Sequence, residues 1–141
     1  MLVFQRLLGE LLKSQERAEQ LEERTTQLAS LQVGVLAAMI QTLSLRDHMT
    51  ARHCAAVARY SREIARAAGL SQEEQDLVHI AGLLHDIGKF IFPDSILLAN
   101  RRLDDDDWEI VKRHPAQGAK VVRQVDGYGP VADIILAHHE R

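Results

Sequence analysis

The sequence predicts an all-helical protein, and three observations support this fold class. Only three prolines interrupt the 141 residues. No stretch of useful length alternates apolar and polar residues in the manner of a half-buried strand. Along most of the chain, apolar residues instead recur every three or four positions, which is the period of one helix face. We therefore expect helices joined by short turns.

The composition matches a soluble globular protein, with 46% hydrophobic and 26% charged residues. The net charge of −3 gives no basic patch of the kind that binds nucleic-acid polymers. Cys54 is the single cysteine and cannot form an internal disulfide, which suits a reducing cytoplasm. No apolar run approaches the roughly 20 residues that span a bilayer. We expect a cytoplasmic protein with no membrane span in this chain.

Residues 1–42 are expected to form one long amphipathic, coiled-coil-like helix. Its apolar seam follows an approximate heptad spacing through Leu7, Leu11, Ala18, Leu21, Thr25, Leu28, Val35, Met39 and Thr42. Ser14, Thr25 and Gln32 weaken this seam, and Gly34 marks a junction with the globular part. The pattern favours a signalling helix through which two copies form a parallel homodimer, driven by an upstream sensor or receiver domain. The alternative is a helix that packs on its own domain.

Residues 43–141 are expected to form a second, helical domain. Its first helix begins near Thr50, a suitable N-cap, and ends at Gly69, since glycine readily adopts the positive φ of a helix end. The Ser-Gln-Glu-Glu sequence at 71–74 then predicts a capping box that opens a third helix. This helix has one apolar face and ends in the pair His85-Asp86.

The rest of the second domain reads as a loop followed by three short helices. A loop with one short helical turn is expected over 88–100. The acidic residues 104–107 are interpreted as the cap and first turn of a helix that continues to Arg113, rather than as a metal site. His114-Pro115 predicts a rigid bend between two helices, because proline restricts the residue before it and favours a helix start. The residues 126–130 read as a turn, and a last helix over 131–137 precedes His138-His139.

Histidines at helix starts, ends and bends form the candidate site. Taken alone, each has a structural explanation as a cap or a surface residue. Together, five histidines and one aspartate on separate helices suffice for two metal sites that share the aspartate. Imidazole and carboxylate donors suit a borderline or hard divalent ion such as Mn, Fe or Zn. The candidate ligands are His53, His85, Asp86, His114, His138 and His139.

The order and spacing of these residues resemble the HD superfamily of metal-dependent phosphohydrolases, and specifically its HD-GYP branch. The resemblance runs from about residue 43 to the end of the chain. It is carried by Arg46-Asp47 with Thr50-Ala51-Arg52-His53, by Ala81-Gly82-Leu83-Leu84-His85-Asp86-Ile87-Gly88-Lys89, by Pro93-Asp94-Ser95-Ile96-Leu97, by Leu103 with His114-Pro115 and Gly118, and by Ile135-Leu136-Ala137-His138-His139-Glu140-Arg141.

This resemblance implies an HD-domain helical bundle that hydrolyses a phosphodiester of cyclic di-GMP, a bacterial second messenger. It implies two or three Fe or Mn ions held by the six residues above, with Asp86 between two of them. A hydroxide that bridges the metals would attack the phosphate, and Lys89 would lie near the scissile bond. Asp86 and Lys89 are therefore the expected catalytic residues, and a cyclic dinucleotide is the expected substrate.

Two departures from the family pattern affect these expectations. The chain ends at Arg141, just before the family's Asp-Gly-x-Gly-Tyr-Pro motif, so we expect an incomplete domain whose activity is in doubt. Family members with a third metal carry a glutamate one turn before the first histidine, where this chain has Met49. We therefore expect two metals. His48 and His79 match no motif and are interpreted as surface or packing residues.

Two other functions remain open at this point. One is an HD phosphohydrolase that acts on a different nucleotide. The other is a catalytically inactive regulatory module that binds a partner. The segment 93–97 and the motifs at His114 and His138-His139 favour the HD-GYP branch over simpler HD enzymes. The intact set of ligands argues against the inactive module.

Overall fold

The computed structural model describes residues 1–46 and 50–140, with all side chains except those of Val33, Leu43, Arg46, Thr50 and Ala51. Predictions made for Arg46-Asp47, His48, Met49, Arg141 and the side chain of Thr50 lie outside this description. The chain divides into two compact units, Met1–Ala37 and Ala38–Arg141.

The predicted all-α fold class is confirmed, because the described residues form helices and no strand. The elements are α1 (Leu2–Arg46), α2 (Thr50–Ala67), α3 (Gln72–Leu84), a 3₁₀ helix (Ile87–Ile91), α4 (Asp94–Leu97), α5 (Asp105–Val111), α6 (His114–Val122) and α7 (Gly129–Ala137). None of these described helices is both long enough and apolar enough to cross a lipid bilayer.

The first unit contains a single element, the part of α1 that ends at Ala37. The helix begins at Leu2, close to the expected start, and continues through Gly34 without a break to Arg46, four residues beyond the expected end. No close contact requires glycine at this position, because a β-carbon there would meet no atom within 4 Å. A single helix has no second element in its unit against which to bury an apolar seam. The seam leucines of this unit are accordingly exposed.

The second unit has a core made of small and aliphatic side chains. Here α2 packs on α3, α3 packs on α7, and α6 packs on both α7 and the 3₁₀ helix. Gly82 shows how close α2 and α3 come, because a β-carbon there would lie 2.6 Å from the Cα atom of Ala58. The fully buried residues Leu84, Val122, Val131 and Ile135 fill the centre between α3, α6 and α7.

Local capping interactions agree with the sequence-based expectations. The backbone N–H of Glu74 donates to Ser71 Oγ at 3.2 Å, and the backbone N–H of Ser71 donates to Glu74 Oε2 at 2.8 Å. Asp104 and Asp107 form a second capping box at the start of α5, and Arg101 donates to Asp107 Oδ2 at 2.6 Å. The acidic tract is therefore a helix start, as interpreted from the sequence.

Three boundaries differ from the expectations. A 3₁₀ helix occupies residues 87–91, which were expected to begin a loop. The α5 helix ends at Val111 rather than Arg113. The α7 helix begins at Gly129 rather than residue 131. This earlier start has a local cause. The ring of Pro130 fixes a φ that suits a helix, and the N–H that proline lacks would have no partner within the first turn of the helix.

Candidate metal centre

Ends and beginnings of helices deliver the candidate ligands. His85 is the C-cap of α3, and Asp86 is the residue between this cap and the 3₁₀ helix. His114 is the first residue of α6, and His138 is the C-cap of α7. The bend predicted at His114-Pro115 is present, because α5 ends three residues before α6 begins.

All six predicted ligands come together in two groups of three. Within each group, one nitrogen or carboxylate oxygen from every residue lies within 4.8 Å of the others. The groups are His53, His85 and Asp86, and His114, His138 and His139. The Asp86 carboxylate lies between them, with Oδ2 at 3.3 Å from His85 Nε2 and Oδ1 at 3.6 Å from His114 Nε2. Each group could hold a metal ion.

Backbone carbonyls fix the orientation of three of the imidazole rings. In each case Nδ1 lies within hydrogen-bond distance of the carbonyl oxygen three residues earlier. The distances are 2.8 Å from His85 to Gly82, 2.7 Å from His114 to Val111, and 2.6 Å from His138 to Ile135. A carbonyl oxygen only accepts, so Nδ1 carries the proton and Nε2 is the nitrogen available to a metal.

The contact between His114 and His138 fits a bound cation. Their Nε2 atoms lie 3.2 Å apart. Burial lowers the pKa of His114 and the pKa of His138, so both rings are neutral near pH 7. With Nδ1 protonated in both rings, two Nε2 lone pairs face each other, and a positive ion between them relieves this repulsion. The donor set therefore fits a divalent metal on chemical grounds as well as by distance.

Gly88 accounts for the closeness of Asp86 to His114. A β-carbon at Gly88 would overlap the His114 carbonyl group, at 2.7 Å from its carbon, and would lie 2.8 Å from the backbone nitrogen of Gly118. The 3₁₀ helix can therefore lie directly on the first turn of α6 only because residue 88 has no side chain. Gly88 and Gly118 both belong to the motifs that carry the family resemblance. The motifs alone did not indicate that these two residues allow the close packing.

Asp86 determines the protonation state of His85, which belongs to the same group of ligands, when no metal is bound. Burial acts to lower the pKa of His85, but the hydrogen bond and charge of Asp86, with help from the Cys54 thiol and the Gly82 carbonyl, raise that pKa to about 10. Burial likewise acts to raise the pKa of Asp86, yet His85 and Lys89 hold it well below its usual range. The Lys89 ammonium donates to Asp86 Oδ2 at 2.8 Å. Sequence reasoning missed the contribution of Cys54, which carries no motif signal.

Metal binding should release a proton from His85. With a pKa of about 10, metal-free His85 is protonated at neutral pH, and Nε2 must lose its proton before it can bind a metal ion. His114 and His138, whose pKa values are lowered, are already neutral. Affinity for Mn²⁺ should therefore rise about tenfold per pH unit between pH 7 and 9, as one titrating group requires. Calorimetric titration in buffers of different ionisation enthalpy measures the proton count directly.

The matched control for this titration is His79→Ala, which removes an imidazole from the same helix. His79 Nδ1 contacts the carbonyl of Ala58 at 3.2 Å, and the residue belongs to neither group of ligands. The variant should release protons as the parent chain does. A metal affinity that stays constant from pH 7 to 9 would contradict the protonation state assigned to His85.

The cluster opens onto a cleft of about 810 Å³. Asp86 and His114 are only 4% exposed at its base, whereas His53 and His139 are exposed at its rim. Away from the cluster, the cleft is lined by apolar side chains that include Val57, Ile64 and Val78. Its volume lies in the range that holds small-molecule ligands. The site is therefore reachable by a substrate of nucleotide size.

Curated relatives of the chain are bacterial phosphodiesterases of cyclic dinucleotides. Over 102 residues, 70% of this chain, it is 39% identical to cyclic di-GMP phosphodiesterase PA4108 of Pseudomonas aeruginosa, covering 24% of that protein. It is 32% identical over 134 residues, 89% of this chain, to the cyclic di-GMP phosphodiesterase response regulator RpfG of Xanthomonas campestris pv. campestris, covering 35%. It is 33% identical over 105 residues, 73% of this chain, to 3'3'-cGAMP-specific phosphodiesterase 2 of Vibrio cholerae, covering 20%.

The chain thus spans between a fifth and about a third of the length of these relatives. Their names agree with the resemblance drawn from the motifs. The family model described as "HD domain" matches residues 50–141, which include every residue of the two ligand groups. Because this match covers well over half of the sequence, the chain belongs to the HD domain family.

Proposed function

We propose that this chain contributes the metal-binding core of a phosphodiesterase that hydrolyses cyclic di-GMP in bacterial second-messenger signalling. The observation that carries the proposal is the position of Asp86 between the two groups of ligands, with one carboxylate oxygen toward each. Two adjacent cations that share a carboxylate are a recurrent arrangement for phosphoester hydrolysis. The names of the relatives support the substrate class.

We assign His53, His85 and Asp86 to one metal ion and His114, His138, His139 and Asp86 to the other. Five imidazoles and one carboxylate favour Fe or Mn over Mg, which prefers oxygen donors. When bound, two such ions supply positive charge to the attacking and departing oxygens and lower the pKa of a nucleophilic water. The carbonyls that bind Nδ1 of His85, His114 and His138 hold the rings in place, so little reorganisation is needed on binding.

Lys89 has a separate role in this proposal. Its ammonium group is anchored by Asp86 and remains partly exposed to the cleft. A phosphodiester gains negative charge on its non-bridging oxygens as it approaches the transition state. A fixed ammonium beside these oxygens stabilises the additional charge without displacing a ligand. Asp86 thus holds the lysine in place and would also be a ligand of both metals.

The proposal is tested first by metal content and then by turnover. The chain, purified without oxygen, should contain about two Fe or Mn ions, as two groups of ligands require. The metal-loaded protein should then convert cyclic di-GMP to a linear product, followed by chromatography. Metal binding without turnover of any cyclic dinucleotide, in this chain and in a longer one, would instead favour the inactive regulatory module.

A second substrate is favoured by a specific observation, since three relatives are named 3'3'-cGAMP-specific phosphodiesterases. These dinucleotides share the cyclic phosphodiester ring and differ in one base. Competition between cyclic di-GMP and 3'3'-cGAMP in one reaction gives the ratio of kcat/KM values directly. A strong preference for 3'3'-cGAMP would make it the substrate in place of cyclic di-GMP. The proposed reaction, hydrolysis of a phosphodiester, would stay the same.

Replacing Lys89 by methionine should slow turnover about 10²- to 10³-fold, as loss of one charge-stabilising donor does. The metal content should stay the same, because Lys89 belongs to neither group of ligands. Metal analysis and kcat, measured on the same preparation, separate the two effects. The matched control is Lys112→Met, which removes an exposed lysine paired with Glu109 at 2.9 Å. If the two variants turn over equally fast, Lys89 has no catalytic role.

We further propose that α1 pairs two copies of the chain and that an upstream sensor or receiver domain acts through this helix in the cytoplasm. The seam of exposed leucines supports the pairing. The name of the response regulator among the relatives supports a signalling context. Analytical ultracentrifugation of the purified chain tests the pairing, with a dimer mass expected at micromolar concentration.

A further inference from the structure

The apolar seam of the first unit is a surface without a partner inside that unit. Leu7, Leu11 and Leu28 are each 61% exposed, and Leu21 is 67% exposed. The seam consists of two sets of heptad positions. The d positions are Leu7, Ser14, Leu21, Leu28 and Val35, and the a positions are Phe4, Leu11, Ala18, Thr25 and Gln32. Leucine dominates d and isoleucine is absent from both positions, which fits two strands better than three or four.

The threonine in this seam is compatible with burial. Thr25 Oγ1 donates to the carbonyl oxygen of Leu21 at 2.8 Å. Its hydroxyl therefore needs no partner from a second helix, and the methyl group is free to pack. Burying a hydroxyl that lacked such a partner would cost free energy. Thr25 consequently weakens the apolar seam less than its residue type indicates.

Charges beside the seam distinguish between helix orientations. Arg17 occupies a g position and Glu22 the following e position, and these two positions face each other across a parallel, in-register pair. Neither side chain forms an ion pair within the described residues. An antiparallel pair with full overlap of the seam would instead place Arg17 opposite Arg24 of the second copy. Like charges at that position oppose the antiparallel arrangement.

From these features we propose that two copies of the chain pair through α1 as a parallel, in-register, two-stranded coiled coil in which Arg17 of each copy faces Glu22 of the other. This inference deepens the pairing proposed above and does not depend on catalysis. It assigns the occupant of the seam as a second copy of the same chain. It also fixes which residues of the two copies meet.

Cysteine substitution at the two ends of the seam tests orientation and register together. In a parallel in-register pair, residue 14 meets residue 14 and residue 35 meets residue 35. Both Ser14→Cys and Val35→Cys should therefore form disulfide-linked dimers rapidly under mild oxidation. Ser30→Cys is the matched control on the outer face and should cross-link at least tenfold more slowly. The unmodified chain controls for Cys54, which is buried.

Charge reversal tests the contact between Arg17 and Glu22. Arg17→Glu and Glu22→Arg should each weaken the dimer about tenfold in Kd, because two attractive contacts become repulsive. The double variant should return to within about threefold of the parent. Glu16→Arg, which changes the same charge on the outer face, is the control for Glu22→Arg. Circular dichroism shows whether each variant keeps its helix content.

The outcomes separate this inference from the other proposals. A monomer mass at all concentrations would overturn the pairing altogether. A dimer in which either seam cysteine, or both, fails to cross-link would overturn the parallel register but keep the pairing. Failure of the double charge reversal to restore the Kd would overturn the assigned contact. Metal content and turnover are measured separately, so an inactive chain leaves the inference standing.

Discussion

Asp86→Asn should reduce the metal content from about two ions per chain to near zero and lower turnover by more than 10³-fold. The reason is that this carboxylate lies between both groups of ligands and supplies the only negative charge among the six donors. Losing several kcal/mol of transition-state stabilisation by the metals corresponds to a decrease in rate of this size. Helix content should change little, because asparagine preserves the shape of the side chain. Elemental analysis and circular dichroism measure both effects.

The same variant should change the protonation of His85. Without the charge of Asp86, burial is opposed only by Cys54 and the Gly82 carbonyl, and the pKa of His85 should fall well below 10. A ¹⁵N NMR titration follows this ring directly. The matched control is Asp107→Asn, which removes another buried carboxylate, one that accepts from Arg101 at 2.6 Å. That variant should lose stability but keep its metal. Metal retained in Asp86→Asn would refute the assignment of the site.

Gly88→Ala should destabilise the second unit by about 3 kcal/mol, at the upper end of overpacking costs. The added methyl group would overlap the His114 carbonyl, and the neighbouring atoms are backbone, which cannot rotate away. For a unit of about 100 residues, this cost lowers Tm by on the order of 10–20 °C. The 3₁₀ helix should also move away from α6, separating Asp86 from His114. Calorimetry and metal content test the two consequences.

Gly129→Ala is the matched control in the same unit. A β-carbon at Gly129 would meet no atom within 4 Å, and its φ is not positive. We expect its Tm to stay within about 3 °C of the parent, the range of ordinary surface substitutions. If Gly88→Ala melted like Gly129→Ala, the close packing of the 3₁₀ helix on α6 would not be what positions Asp86.

Local signals made most of the fold predictable from the sequence. The capping box at Ser71, the stop at Gly69 and the bend at His114-Pro115 each involve residues within four positions of one another. Such features can be recognised without knowledge of the tertiary structure. The candidate ligands were also identifiable, because histidines recur at helix ends in a spacing that resembles a known family. Their meeting in two groups depends on that resemblance, not on any local rule.

The remaining features depend on tertiary packing. The 3₁₀ helix stands where a loop was predicted, and it lies at Gly88 against α6, which begins 26 positions later in the sequence. The closeness of Cys54 to His85 arises from the packing of α2 on α3. The neutral state of His114 results from burial, which no pattern of residue types reveals. Long-range contacts of this kind leave no periodic trace in the sequence.

Three helices end at the cluster, and this arrangement has an electrostatic consequence. The carbonyls that bind His85, His114 and His138 belong to the last turns of α3, α5 and α7, where the helix macrodipole is negative. The six donors supply one negative charge against four positive charges on two divalent ions. Partial charges from the peptide backbone therefore offset part of this excess. The remainder, together with Lys89, would leave the loaded centre cationic, so simple anions such as inorganic phosphate should compete with the substrate for it.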